Sequence, residues 1–133
     1  MNATASPSDA SSVQVLLVCP RGEHMQRVRS LASRWPQAAH IDWTADPEEA
    51  MRRARRCPPH LAIVDARLDR ACNRWLSENL RRDRPDLVVM NFDEWSQALA
   101  PGRSGHWHWS ELPRATAWWV QRHFAERPPL LIQ

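Results

Sequence analysis

Apolar residues along this chain fall into short continuous runs separated by amphipathic stretches. LAIV at Leu61 to Val64 is an unbroken run, and VQVLLVC at Val13 to Cys19 and DLVVMNF at Asp86 to Phe92 are predominantly apolar. Strands of a parallel sheet covered on both faces read in this way. AHIDW alternates instead, with Ala39, Ile41 and Trp43 on one face. HWHW is a fifth strand-like segment, whose alternation puts His106 and His108 on one face and Trp107 and Trp109 on the other.

Between these runs the apolar positions recur at helical spacing. Met25, Val28, Leu31, Ala32 and Trp35 predict a helix from Glu23 to Trp35, stopped by Pro36. ADPEEAMRRARRCPP carries the clearest helix signal: Asp46 caps, Pro47 suits the first turn, Glu49 stands three residues after the cap, and Pro58 closes the far end. A third helix runs from about Arg70 to Arg82 with Trp75, Leu76 and Leu80, and a short polar one lies near Glu94 to Leu99, before the turn PGRSG. The last helix runs from about Ser110 to Glu126. Leu112, Ala115, Trp119 and His123 form its inner stripe, with Val120 and Phe124 beside it. Trp118 falls off that stripe, with Arg114 and Arg122 four residues to either side.

Strand and helix therefore alternate five times, and every connection is long enough for a crossover. The pattern predicts a doubly wound parallel α/β sheet, whose sites lie at the carboxyl ends of its strands. In HLAIVDARLD one strand ends at that edge in Asp65. A carboxylate there either opens the next loop or is the working end of a site, because a buried charge needs compensation.

The composition permits this reading and removes several others. A chain of 133 residues, 43% hydrophobic and 25% charged, suits one soluble domain. We divide it into a disordered segment at 1–12, a domain at 13–126 and a tail at 127–133. No apolar run nears the ~20 residues of a membrane span, and MNATASPSDASS has no signal-peptide character. A cytoplasmic location is expected. Cys19, Cys57 and Cys72 are scattered, without the spacing of a zinc site or a disulfide framework. All 18 basic residues are arginine, which excludes any mechanism that needs a lysine. The arginine clusters at 52–56 and 81–84 are interleaved with Glu48, Glu49, Asp83 and Asp86, so solvated helix faces explain them better than a nucleic-acid surface.

The chain resembles the receiver domain of two-component response regulators. The likeness covers Val13 to about Phe124 and is strongest over TADPEEAMRRARRCPPHLAIVDARLD. It implies a flavodoxin-like fold, a five-stranded parallel sheet of order 2-1-3-4-5 flanked by helices, with Asp65 at the phosphoacceptor position. The family's supporting pocket is degenerate here. Cys19 and Pro20, followed by Arg21, stand where two acidic residues hold Mg²⁺; Asn91 stands where Thr or Ser closes the fourth strand; and the fifth strand's lysine is absent. Asp65 is accordingly expected to be a vestigial phosphoacceptor, a solvent-accessible carboxylate paired with Arg21 or Arg67.

Two other chemistries are weaker. Cys19 would need an arginine six positions later to form the phosphate loop of low-molecular-weight protein tyrosine phosphatases, and Met25 is there. His106 and His108 have the spacing of two metal ligands but no third is evident, so a polar strand face is preferred. We therefore expect a receiver-like signalling protein that is not an enzyme, holds no metal or cofactor and works by protein–protein interaction without Mg²⁺-dependent phosphorylation. With no output domain recognisable after Phe124, a single-domain adaptor or homodimer is expected, its partner a sensor kinase or regulator. Its interaction surface is assigned to Trp107, Trp109, Arg114, Trp118 and Arg122. The alternatives are a receiver phosphorylated on Asp65 and an arginine-rich nucleic-acid-binding regulator.

Overall fold

The computed structural model describes residues 12–22, 24–67, 70–94 and 106–125, without the side chains of Arg70 and His106. Its elements run β1 (Val13–Val18), α1 (Met25–Ala32), β2 (Ala39–Thr44), α2 (Pro47–Arg56), β3 (Leu61–Asp65), α3 (Arg70–Asp83), β4 (Val88–Asp93), β5 (His106–His108) and α4 (Leu112–Ala125). The strands form one sheet of order β2-β1-β3-β4-β5, and every pairing is parallel. The predicted architecture and strand order are thus observed.

Two apolar layers cover the sheet. On one face Val13, Val15, Leu17 and Cys19 of β1 and its end pack with Leu61, Ile63, Met90 and Phe92. Val28 of α1 and Leu112, Ala115 and Trp119 of α4 cover them. On the other, Leu16, Val18, Ala62, Val64 and Val89 meet Ala50, Met51 and Ala54 of α2 and Leu76 and Leu80 of α3. Because side chains alternate along a strand, the unbroken runs supply both layers at once.

Helix ends follow the local sequence with some departures. Asp46 caps α2 by accepting the Glu48 N–H at 3.3 Å, and Pro47 is the first helical residue. Glu49 does not reach back to the cap; it binds Arg52 and Arg53 instead. The first helix is shorter than its apolar spacing predicts, since the chain tightens after Ala32 into turns closed by Arg34 N–H to Leu31 and Trp35 N–H to Ala32. Trp75 of α3 points outward, 42% exposed, while Leu76 and Leu80 are buried.

The fifth strand departs further. It ends at His108, and Trp109–Glu111 form a 3-10 turn before α4. His108 is the cap of that turn: its Nδ1 accepts the Ser110 N–H at 3.0 Å, and Glu111 Oε1 accepts the His108 N–H at 3.0 Å. The imidazole expected to present a polar strand face is thus a local structural group. The polar helix near Glu94 to Leu99 falls largely outside the described residues, as do the segments at 1–11 and 126–133.

Candidate functional site

Asp65 closes β3 at the carboxyl edge of the sheet, between β1 and β4. Its sequence position predicts a solvent-accessible carboxylate, and the structure corrects this: its exposure is 0%. Its compensation is local. Asp65 Oδ1 accepts the backbone N–H of Arg67 at 2.9 Å, an Asx turn, while Oδ2 accepts Arg67 Nε at 3.1 Å and the terminal guanidinium nitrogen at 2.7 Å. Both carboxylate oxygens are therefore engaged by one residue. Of the two partners expected for it, Arg67 makes the ion pair; Arg21 is exposed on the preceding loop.

Cys19 stands at the matching end of β1, also 0% exposed. Burial pushes its thiol above the ordinary value, opposed by nearby backbone N–H groups of Gly22 and His24 and by the Trp43 side chain, and reinforced by the Asp65 carboxylate. This is the environment of an inert structural thiol. The Cys19–Gly22 loop is covered by Trp43, whose indole N–H donates to the Cys19 carbonyl at 3.0 Å. Gly22 adopts φ +68, and a Cβ there would meet the Trp43 ring at 3.3 Å.

The wall opposite is aromatic. His24, at the start of α1, stacks on Trp109 with centroids 3.6 Å apart, and Trp109 stacks on Phe92 at 4.7 Å. Arg27 holds the arrangement by donating to the Trp109 carbonyl at 2.8 Å. The strand register explains Phe92's part. Asp65 is level with Phe92 and Val64 with Asn91, so Phe92 shares the face of Asp65 and Asn91 is on the other. The expectation that Asn91 lines the Asp65 pocket is therefore corrected. Asn91 is buried on the α2–α3 side, and its Oδ1 has no hydrogen-bond partner.

The residues here do not fit Mg²⁺. That ion requires oxygen ligands, commonly carboxylates, and the end of β1 offers a buried thiol, a proline and an exposed arginine while Asp65 is chelated by Arg67. Among the described residues no group of three His, Cys, Asp or Glu side chains could hold a metal ion.

The proposed interaction surface is partly corrected. Trp107 and Trp109 are 8% and 3% exposed and belong to the core layer under α4, not to a free face. Trp118 does turn outward, 42% exposed, with the Arg122 guanidinium 5.1 Å from its ring and Trp107 beneath it at 6.4 Å. Arg114 turns away, to within 3.7 Å of Glu111. The arginines of α2 are largely paired: Arg52 and Arg53 with Glu49, Arg53 with Asp42, and Arg55 with Asp83 of α3.

No family model matches the sequence, and no curated protein matches it. Solved structures do match. One is a receiver domain protein, CheY-like, from Methanospirillum hungatei JF-1, with TM-score 0.66 and 16% identity over 87% of this chain and 96% of the other. The chain has the fold of a response-regulator receiver domain. A two-component transcriptional regulator AraC from Clostridium phytofermentans ISDg gives TM-score 0.63 and 22% identity, covering 86% of this chain and 99% of its own. A LuxR-family response regulator from Aurantimonas sp. SI85-9A1 gives TM-score 0.65 and 21% identity, covering 87% of each. Within this receiver fold, Cys19 stands beside Asp65, Phe92 is level with it, and Trp109 and His24 stack in turn on Phe92; of these only Cys19 is among the pocket residues picked out from the sequence. Arg67 was visible as Asp-x-Arg, the spacing of an Asx turn; the His24 stack joins residues 85 positions apart and leaves no local signal.

Among the described residues, no helix is long and apolar enough to cross a membrane.

Proposed function

We propose that this receiver-like chain signals by binding another protein, is not an enzyme, and does not use Mg²⁺-dependent phosphoryl transfer to Asp65. The observation that carries the reading is the Asp65–Arg67 chelate. A phosphoacceptor must offer a free carboxylate oxygen to an incoming phosphorus atom beside a bound metal. Asp65 has neither accessibility nor a spare oxygen, and Cys19 and Phe92 beside it supply no charge to stabilise a phosphoryl group. A fixed internal cation beside the aspartate leaves one conformation favoured, which suits a constitutive binding module.

The surface assigned to the partner is centred on Trp118 and Arg122 of α4, with Trp107 as its support. Tryptophan and arginine are enriched among residues that carry interface energy. A second copy of the chain and a kinase or regulator are both candidate partners. Two measurements test the reading. Incubation with acetyl phosphate and Mg²⁺ should leave the intact mass unchanged; an added phosphoryl group, lost in Asp65→Asn, refutes phosphorylation independence. Trp118→Ala should weaken self-association in sedimentation by roughly thirtyfold if the partner is a second copy, the effect of losing about 2 kcal/mol at an anchor. Unchanged association of a chain that does dimerise moves the interface elsewhere.

A further inference from the structure

The two edge strands of the sheet are unlike. β5 is three residues long and runs straight into the Trp109 turn, whereas β2 is six residues long and pairs with β1 in unbroken register. Short edges, bulges and prolines keep open strands from pairing with other chains. β2, AHIDWT, is of ordinary length and has neither proline nor bulge.

The bonds to β1 fix which backbone groups of β2 face outward. The Val13 N–H donates to the Ala38 carbonyl at 2.8 Å, and the Cys19 N–H to the Thr44 carbonyl at 3.2 Å. Alternation then turns the backbone groups of His40 and Asp42 toward β1 as well, and those of Ala39, Ile41 and Trp43 away from the sheet. Arg53 reaches the Trp43 carbonyl from outside, its Nη1 donating at 2.9 Å. Beyond that bond, no described residue satisfies the outward groups of Ala39 and Ile41 or the Trp43 N–H.

We infer that this edge pairs antiparallel with β2 of a second copy of the chain, about a twofold axis at Ile41, joining the two sheets into one. Ile41 then exchanges both backbone bonds with its counterpart, and each Trp43 N–H reaches the Ala39 carbonyl of the other copy, while the Trp43 carbonyl stays with Arg53. The same register sets His40 of each copy directly opposite Asp42 of the other, and Trp43 opposite the small Ala39 on the other face. His40 is exposed, and Arg53 takes only Oδ1 of Asp42, at 2.6 Å; a carboxylate accepts on both oxygens. Sliding by two residues one way would set Asp42 against Asp42, and the other way His40 against His40. The register that engages all the outward residues is therefore also the one that pairs imidazole with carboxylate. The contact lies at the opposite edge of the sheet from β5 and does not use the Trp118 surface of α4.

Sedimentation of the full chain, wild type and Trp118→Ala, each with His40 variants, tests this pairing. Association should persist in Trp118→Ala with a dissociation constant below ~100 μM. His40→Glu sets a second carboxylate against Asp42 at both symmetric positions and should weaken association at least about tenfold, or about 1.4 kcal/mol; His40→Arg should not weaken it. Both variants change an exposed side chain, so circular dichroism should stay native. Residue-resolved amide exchange reads the register. On going from dilute to concentrated Trp118→Ala protein, the Ile41 and Trp43 amides should slow at least about tenfold, while those of His40 and Asp42, already turned to β1, should not change. A Trp118→Ala chain that stays monomeric up to ~1 mM overturns the β2 pairing and leaves the α4 surface untouched. Association that His40→Glu leaves unchanged, or Ile41 exchange independent of concentration, overturns it equally.

Discussion

Replacing Arg67 by alanine should damage the fold more than replacing Asp65, although Asp65 is the more deeply buried. In Arg67→Ala the carboxylate keeps the backbone N–H on Oδ1 and loses both guanidinium bonds to Oδ2. A buried charge without its partner typically costs about 3 to 5 kcal/mol. The Arg67 side chain is 33% exposed, so solvent screens part of the attraction and places the loss near the lower end, about 3 kcal/mol. In Asp65→Ala the guanidinium can turn to water, and the cost falls to lost hydrogen bonds and packing, about 1 to 2 kcal/mol. The double variant should be no worse than Asp65→Ala alone, because removing the carboxylate removes the reason Arg67 is needed. Urea unfolding measures all three, with the slope unchanged if the native packing is retained. Arg67→Ala losing less than about 1 kcal/mol, or single losses that add within about 0.5 kcal/mol, would refute a coupled buried pair.

Two further outcomes test the walls of the same site. Native protein should expose two thiols to a maleimide, Cys57 and Cys72, with Cys19 reacting only on unfolding; native labelling of Cys19 would contradict the closed pocket. Since the Cys19 pKa is raised above its ordinary 9.0, the unfolded chain releases that proton first. Its stabilising contribution is thus full below about pH 9 and lost as pH rises through the folded value. The chain has no lysine or tyrosine to mask this fall, and Cys19→Ala should flatten it. Gly22→Ala should cost about 1 to 2 kcal/mol from its left-handed φ, and more if Trp43 must shift; a neutral effect on the urea midpoint would show that the loop relaxes freely.

The architecture was legible because its causes are local. Continuous apolar runs in β1, β3 and β4 announce strands covered on both faces, and Asp46-Pro47 and Pro58 bracket α2. The ends of elements were less legible. Apolar spacing continues through Trp35, yet the helix stops at Ala32, because Trp35 reaches Trp119 from a turn at 5.4 Å between centroids without needing helical backbone. HWHW reads as alternation over four residues, but Glu111 accepts the His108 N–H and converts the fourth into a 3-10 turn. Trp109 consequently leaves the strand and reaches His24.

The misreading of Asn91 has a different origin and bears on the function. Alignment of sequence patterns along β4 is uncertain by one residue, and in a strand one residue exchanges the faces. Once Asp65 is level with Phe92, the polar group assigned to the pocket becomes an aromatic one. The altered positions then cease to be separate losses. Phe92 and Trp109 stack with centroids 4.7 Å apart, and His24 completes the column on the α1 side. With Asp65 itself 0% exposed, its charge has no solvent to rely on and needs a covalently local cation. Arg67, two residues along the chain and partly exposed, meets that need without an entropically costly search. Introducing one polar residue alone would thus leave a desolvated group among aromatic rings; on the function proposed above, phosphoryl transfer to Asp65 would require the stack and the Arg67 chelate to change together.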